Sequence, residues 1–172
     1  MKPFVLSARL SIAGAIGAAV LAAGAFGIGS TALGQDQSAA TPKDVIFARK
    51  ILMGTVGDNM DEIDSAVASG DIDLQHLAGH ADGISVALLV FPHLFPPASN
   101  EWKEGATRDP GADTFASPEV WTRFADFYKM ASEASKLAYD ASRARSKDDF
   151  KKAGIALRQA CDACHVTFMK KD

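Results

Sequence analysis

The two cysteines of the 172-residue chain, Cys161 and Cys164, lie in one short segment that ends in His165. On a helix, positions i, i+3 and i+4 share one face, so the two thiols and the imidazole would point to the same side. Cys-x-x-Cys-His is the attachment signal for c-type haem: the thiols bond to one porphyrin edge and the imidazole reaches the iron. The motif predicts one covalent haem c, bound through Cys161 and Cys164, with His165 as axial iron ligand.

Two other chemistries use a Cys-x-x-Cys pair. A thioredoxin-type redox motif needs a strand followed by a helix, and the sequence around Cys161 has no strand-like alternation. A structural zinc site needs a second half with further ligands, and the chain has no further cysteine to supply it. Both alternatives are less well supported than haem attachment.

The N-terminal segment has the layout of an export signal. Lys2 and Arg9 precede an apolar run from Leu10 to Ile28, and small residues follow, with Ala32 and Gly34 at the −3 and −1 positions of a cleavage site. This predicts a signal peptide over residues 1–34 and a periplasmic location for residues 35–172. The alternative is an uncleaved membrane anchor, since the apolar run is about long enough to span a bilayer.

The remaining chain predicts four amphipathic helices, because apolar residues recur at alternating spacings of three and four. The third helix, for example, has an apolar stripe from Val120 through Phe124 and Phe127 to Ala141. Burying four such stripes together predicts an all-α protein, an antiparallel left-handed four-helix bundle with a long loop between helices two and three. The predicted helix starts are Thr41-Pro42, Leu74, Ser117-Pro118 and Ser146.

Arg49 is unusual because it lies on the otherwise apolar stripe of the first helix. A buried guanidinium needs an anionic partner, and a haem propionate would serve; the alternative is that Arg49 reaches solvent near the helix start. Met53 lies one turn further along the same face. It could be the sixth iron ligand, a side chain that blocks the distal side of the iron, or an ordinary core residue.

The remaining histidines carry weaker signals. His76 and His80 are four residues apart, as in a helical metal pair, but both lie beside the apolar stripe and are best interpreted as solvated surface. His93 follows the second helix and could approach the haem edge. The formal net charge is −3, with no long basic cluster, which argues against nucleic acid as a partner.

Besides the haem motif near the C-terminus, three segments carry a resemblance to a known family: Arg49 to Met53, Phe95-Pro96 and Ser117 to Trp121. Through these residues the sequence resembles the cytochrome c′ family, the class II c-type cytochromes, over almost all of residues 35–172. This resemblance implies a bundle that often forms a homodimer, with His165 as the proximal ligand, Arg49 at a propionate and Met53 in the distal pocket. One departure is Met169, where the family commonly has an arginine four residues after the haem-binding histidine.

These observations favour an exported electron carrier that transfers single electrons with an unidentified redox partner protein. An alternative is a five-coordinate haem protein that binds nitric oxide or carbon monoxide, as the family implies. A haem peroxidase is more remote, because Arg49 is the one polar residue on the first helix placed to act at the iron. No catalytic residue is assigned and the protein is not expected to be an enzyme.

Overall fold

The computed structural model describes residues 40–105 and 114–170. Within these ranges the helices are α1 (Pro42–Ser69), α2 (Leu74–Val90), α3 (Glu119–Thr122), α4 (Phe124–Ser142) and α5 (Lys147–Phe168). Two short 3-10 helices, Phe91–Leu94 and Pro97–Ser99, follow α2. The predicted signal peptide, residues 1–34, lies outside the described residues.

Side-chain caps fix the starts of two long helices. The Thr41 hydroxyl accepts a hydrogen bond from the Asp44 amide, and the Asp44 carboxylate accepts one from the Thr41 amide. At α5 the Ser146 hydroxyl accepts from the Asp149 amide in the same way. Such caps satisfy amides that have no partner within the helix. The predicted starts of the first and fourth helices are therefore confirmed.

The third predicted helix is not continuous. The backbone leaves helical geometry at Arg123, with φ −125° and ψ 39°, so the short α3 precedes α4. As a result Val120 and Phe127 are both buried, while Phe124, which was predicted to lie on the buried stripe, is largely exposed. The prediction of one unbroken helix from Ser117 was wrong at this point.

The four long helices form an antiparallel bundle, as predicted. Helix α2 packs between α1 and α4, α4 packs on α5, and α1 contacts α5 more sparsely. A line of small residues on α4 lets its neighbours approach closely: Ala131, Ala134, Ala138 and Ala141 are all buried. The main core lies around Ile63, Ile84, Leu157 and Phe150, and a second aromatic cluster contains Phe95, Phe127 and Phe168.

Helices α1 and α5 are closest at Gly154. A Cβ atom added at Gly154 would lie 3.1 Å from Cγ2 of Ile63 and 3.2 Å from Cγ2 of Val67, which is tighter than ordinary van der Waals contact. One turn further along α5, Arg158 forms ion pairs with Asp61 and Asp64 of α1. Beyond these contacts, toward the C-terminus of α5, a cavity lies between the two helices.

The segment Leu74–Leu94 is apolar and long enough to cross a membrane by length and composition, with a mean hydropathy of 1.3. A core helix of a bundle meets the same criteria, and α2 does contact both α1 and α4. Its outward face is nevertheless apolar, because Val86, Leu89 and Val90 are exposed.

Candidate functional site

A cavity of about 430 Å³ lies between α1, α4 and α5. This volume falls within the range of about 300–1,000 Å³ that is usual for small-molecule and cofactor sites. Most of its walls are apolar, as expected for a site that takes a flat apolar ligand. The apolar lining includes Val56, Met60, Leu88, Phe91, Val120, Phe127 and Ala131.

The wall that α5 contributes contains all three residues of the predicted haem motif. Cys161, Cys164 and His165 lie in the helical part of the chain and all line the cavity. Both thiols are half-buried, and burial raises the pKa of each, that of Cys164 to about 11. They are therefore protonated thiols at neutral pH, unlike the low-pKa thiols of redox motifs.

The surroundings of the motif do not favour its other uses. Within residues 40–105 and 114–170 no strand precedes α5, so the strand–helix context of a thioredoxin motif is missing there. Nor does the described part of the chain contain a group of three or more His, Cys, Asp or Glu side chains arranged to hold a metal ion.

The wall that α1 contributes lies opposite the motif. Met53 lines the cavity and is half-buried, and the buried Met60 of the same helix lines it too. Gly54 and Gly57 also belong to this wall, and a Cβ at either position would meet nothing within 4 Å. Gly54 and Gly57 were not identified from the sequence. The one signal that could have identified them is their position on the helix, next to Met53 and one turn after it.

Arg49 lies at the edge of the cavity and is buried, with only 4% of its surface exposed. The alternative that it reaches solvent is therefore wrong. Its guanidinium donates to Thr114 Oγ1 at 2.7 Å, to Ser99 Oγ at 3.0 Å and to the Ser99 carbonyl at 3.2 Å. Burial lowers the pKa of Arg49 to about 10, although Glu101 partly opposes this shift.

Aromatic rings complete the environment of Arg49. The guanidinium carbon lies 4.6 Å from the centre of the Phe95 ring and 5.6 Å from that of the Trp121 ring. Trp121 in turn donates its indole N–H to the Phe95 carbonyl at 3.1 Å. Arg49 thus connects α1 to the loop between the second and third predicted helices. Neither Ser99 nor Thr114 could be predicted as a partner of Arg49, because both lie between α2 and α3, far from Arg49 in the sequence.

The end of α5 is joined to the end of the long loop. The Ser117 amide donates to the Phe168 carbonyl at 2.9 Å, and the Lys170 amide donates to the Phe115 carbonyl at 2.8 Å. Met169, the position of the expected family arginine, lies between these bonds and lines the cavity. An apolar side chain therefore lies at this part of the wall, where the resemblance implied an arginine.

The other three histidines are not among the residues that line the cavity. His93 is exposed, and its ring packs edge-on against Tyr128, with ring centres 6.0 Å apart. It is not one of the residues that line the cavity. His76 and His80 are on α2 and do not line it either.

Comparison with known proteins shows the family. Residues 44–169 match the family model described as Cytochrome C′. A cytochrome c′ from Pararhodospirillum photometricum is 30% identical over 133 residues, which cover 75% of this chain and 98% of the relative. The chain belongs to the cytochrome c′ family. The cytochrome c′ family binds haem c, and its members are haem- and ligand-binding proteins rather than typical enzymes.

Solved cytochromes c′ share the fold. The crystal structure of cytochrome c′ from Thermochromatium tepidum has a TM-score of 0.67 at 19% identity, covering 77% of this chain and 98% of that one. The nitric oxide complex of a cytochrome c′ variant from Alcaligenes xylosoxidans has a TM-score of 0.62, also at 19% identity, with the same coverage. The likeness to these structures confirms the four-helix bundle.

Proposed function

We propose that this cytochrome c′ family member is an exported, periplasmic protein that carries one haem c and transfers single electrons. The observation that carries the proposal is the convergence of Cys161, Cys164 and His165 on one apolar cavity. Thioether bonds from the two cysteines would hold the haem, and His165 would bind the iron. When bound, the haem supplies a one-electron ferric–ferrous couple.

The residues present fit such a group. The cavity is apolar and of cofactor size, and the two thiols are on the same wall as the imidazole. The apolar walls exclude water, and burial together with nearby charge is one of the ways in which a protein sets the potential of a haem. The covalent bonds would also prevent loss of the cofactor outside the cytoplasm.

Arg49 is the residue that we assign to a propionate. Burial disfavours its cation, and the oxygens to which it donates in Ser99, Thr114 and the Leu94 carbonyl are all neutral. A carboxylate at the cavity edge would stabilise the cation through charge-assisted hydrogen bonds. The site therefore has a cationic group at its edge that would gain from an anion.

Replacing Arg49 by leucine should lower the reduction potential, because reduction adds negative charge and a nearby cation favours it. Spectroelectrochemical titration measures the effect. Thr114→Val is a matched control, since it removes the 2.7 Å bond to Arg49 but keeps the charge. A potential that falls equally in both variants would indicate that Arg49 acts by holding the loop, and an unchanged potential in Arg49→Leu would contradict the contact.

A second candidate function is the binding of nitric oxide or carbon monoxide. Apolar and small residues of α1 line the cavity, among them Met53, Val56 and Gly57, although the cation Lys50 lines it as well. The apolar part of this wall suits small uncharged ligands. The nitric oxide complex among the structural relatives supports this candidate for the family. Peroxidase chemistry has less support, because Arg49 is bonded to the loop residues Ser99 and Thr114.

We also propose a homodimer through the outward faces of α1 and α2. Phe47 and Ile51 on α1, and Val86, Leu89 and Val90 on α2, are exposed apolar residues. The two helices pack against each other, and exposed apolar residues grouped on neighbouring elements are typical of interaction sites. A related solved cytochrome c′ is described as having ligand-controlled dimer dissociation.

Val86→Lys should weaken dimerisation at least tenfold, because it would bury a charge in each half of an apolar interface. Sedimentation velocity over a concentration series measures the change. Ile155→Lys is the control, since Ile155 is an exposed aliphatic residue on α5, away from this face. A parent that is monomeric at high micromolar concentration, or equal weakening by both variants, would contradict the proposed interface.

The proposed function is tested on the purified, haem-loaded protein. Acid–acetone extraction should leave the haem in the protein fraction, and the intact mass should correspond to one haem per chain lacking its signal peptide. A redox titration should fit a single one-electron step. Haem in the organic layer, more than one haem per chain or no reversible reduction would each overturn the corresponding part of the proposal.

A further inference from the structure

Two histidines on α2 form a close pair outside the haem cavity. The Nε2 atoms of His76 and His80 are 3.3 Å apart, and their ring centres are separated by 4.8 Å with the rings nearly perpendicular. His76 is exposed and His80 is half-buried, so solvent and solutes can reach both. The haem function uses neither residue.

A hydrogen-bond chain from α1 determines the tautomer of His80. The Asn59 side-chain amide donates from Nδ2 to the Thr55 carbonyl at 2.7 Å, which places its Oδ1 toward α2. That oxygen lies 2.9 Å from His80 Nδ1, and because it can only accept, Nδ1 must carry the proton. The Nε2 atom of neutral His80 is then a lone-pair acceptor directed at His76.

This arrangement is the one that metal-binding histidines use. Such a histidine commonly donates its second ring N–H to a carbonyl or carboxylate oxygen, which fixes the orientation of the ring and raises its basicity. Asn59 supplies that oxygen from a neighbouring helix. One ligand of the pair is therefore already oriented before any metal binds.

The distance between the two nitrogens also fits a metal. Two imidazole nitrogens bound to Zn²⁺ at about 2.05 Å in tetrahedral geometry are separated by about 3.4 Å. The 3.3 Å separation of the two Nε2 atoms is close to this value. Imidazole is one of the ligands that suit Zn²⁺, along with other transition metals such as copper and nickel.

Electrostatics at the N-terminus of α2 do not oppose a cation. The positive end of the helix dipole is offset by the cap Asp73, whose carboxylate accepts from the amides of Gln75 and His76. A carboxylate therefore lies within one turn of the pair.

We propose that His76 and His80 form a surface site for Zn²⁺, with both Nε2 atoms as ligands and Asn59 as the residue that positions His80. Two coordination positions are left for water or for a donor from solution. Because the site has two protein ligands rather than three or four, it is an open site for exchangeable zinc rather than a structural one.

The test uses the untagged, haem-loaded protein and zinc sulfate alone. Isothermal titration calorimetry should give one Zn²⁺ per chain for the parent. His76→Gln and His80→Gln should each weaken binding at least tenfold. His93→Gln is the matched control, since it removes an exposed histidine elsewhere on the surface, and it should bind zinc like the parent.

A further variant distinguishes the positioning of His80 by Asn59 from a general effect on the fold. Asn59→Leu should weaken zinc binding by about tenfold, the lower end of what loss of an outer hydrogen-bond partner usually costs, while the haem spectrum stays that of the parent. Absence of zinc binding by the parent, retention of affinity in His76→Gln or His80→Gln, or loss of affinity in His93→Gln would overturn the site. Parent-like affinity in Asn59→Leu would overturn the role of Asn59.

Discussion

Replacing both Cys161 and Cys164 by alanine should leave the purified chain without covalently bound haem. Both thiols line the same cavity wall. Because the chain has only these two cysteines, no other thiol can form the thioether bonds. Acid–acetone extraction should then move all haem to the organic layer. Either single variant should keep one bond and part of the covalent haem.

Val166→Ala is the control for this experiment, because Val166 follows the motif on α5 and its side chain is exposed. It should retain covalent haem like the parent. Covalent haem in the double variant would contradict the assignment of the cysteines, and loss of haem in Val166→Ala would indicate a general failure of maturation.

The double variant should also lose much of its helix content. Without the cofactor, the apolar residues that line the site lose the packing contacts that stabilise the bundle. Far-ultraviolet circular dichroism and thermal unfolding measure this loss. A variant that is as helical and stable as the parent would show that the bundle closes without its cofactor.

Changing Met53 should show whether the protein binds gases at its haem in addition to transferring electrons. Met53 is half-buried in the wall opposite His165, on the stripe that also carries Arg49. We expect its thioether to pack in the cavity without binding iron, so that the reduced parent binds carbon monoxide. Met53→Ala should then raise the affinity for carbon monoxide at least tenfold, because truncation removes the side chain that crowds the ligand.

Met60→Ala is the matched control, since Met60 is a buried methionine of the same helix and the same wall. It should change gas affinity less than Met53→Ala does. The contrary outcome combines two observations. The oxidised parent would show a weak band at the red end of its spectrum, typical of iron–thioether bonds, and this band would disappear in Met53→Leu. The reduced parent would also fail to bind gas. That result would identify the protein as a dedicated electron carrier.

Features that depend on short sequence separations were predictable. The cap residues Thr41 and Ser146 and the motif around Cys161 each involve residues within four positions of one another, so their types and spacing are sufficient. The apolar periodicity likewise predicted the bundle. The break at Arg123 was not predictable from that periodicity, because the apolar stripe continues through it.

Contacts between distant segments were beyond sequence reasoning. Arg49 bonds to Ser99 and Thr114, which are 50 and 65 residues away, and nothing in the loop composition indicates which residues meet the guanidinium. The pairing of Asn59 with His80 across two helices is of the same kind. Such contacts depend on how the helices cross, which periodicity does not specify.

Gly154 has a consequence for how the cofactor site could diverge among relatives. It does not line the cavity, yet its lack of a side chain permits the tight crossing of α5 over Ile63 and Val67. An alanine there would require those side chains to shift, and any separation of the two helices would change the width of the cavity. Selection or engineering could therefore adjust the room for the cofactor at a position that never touches it.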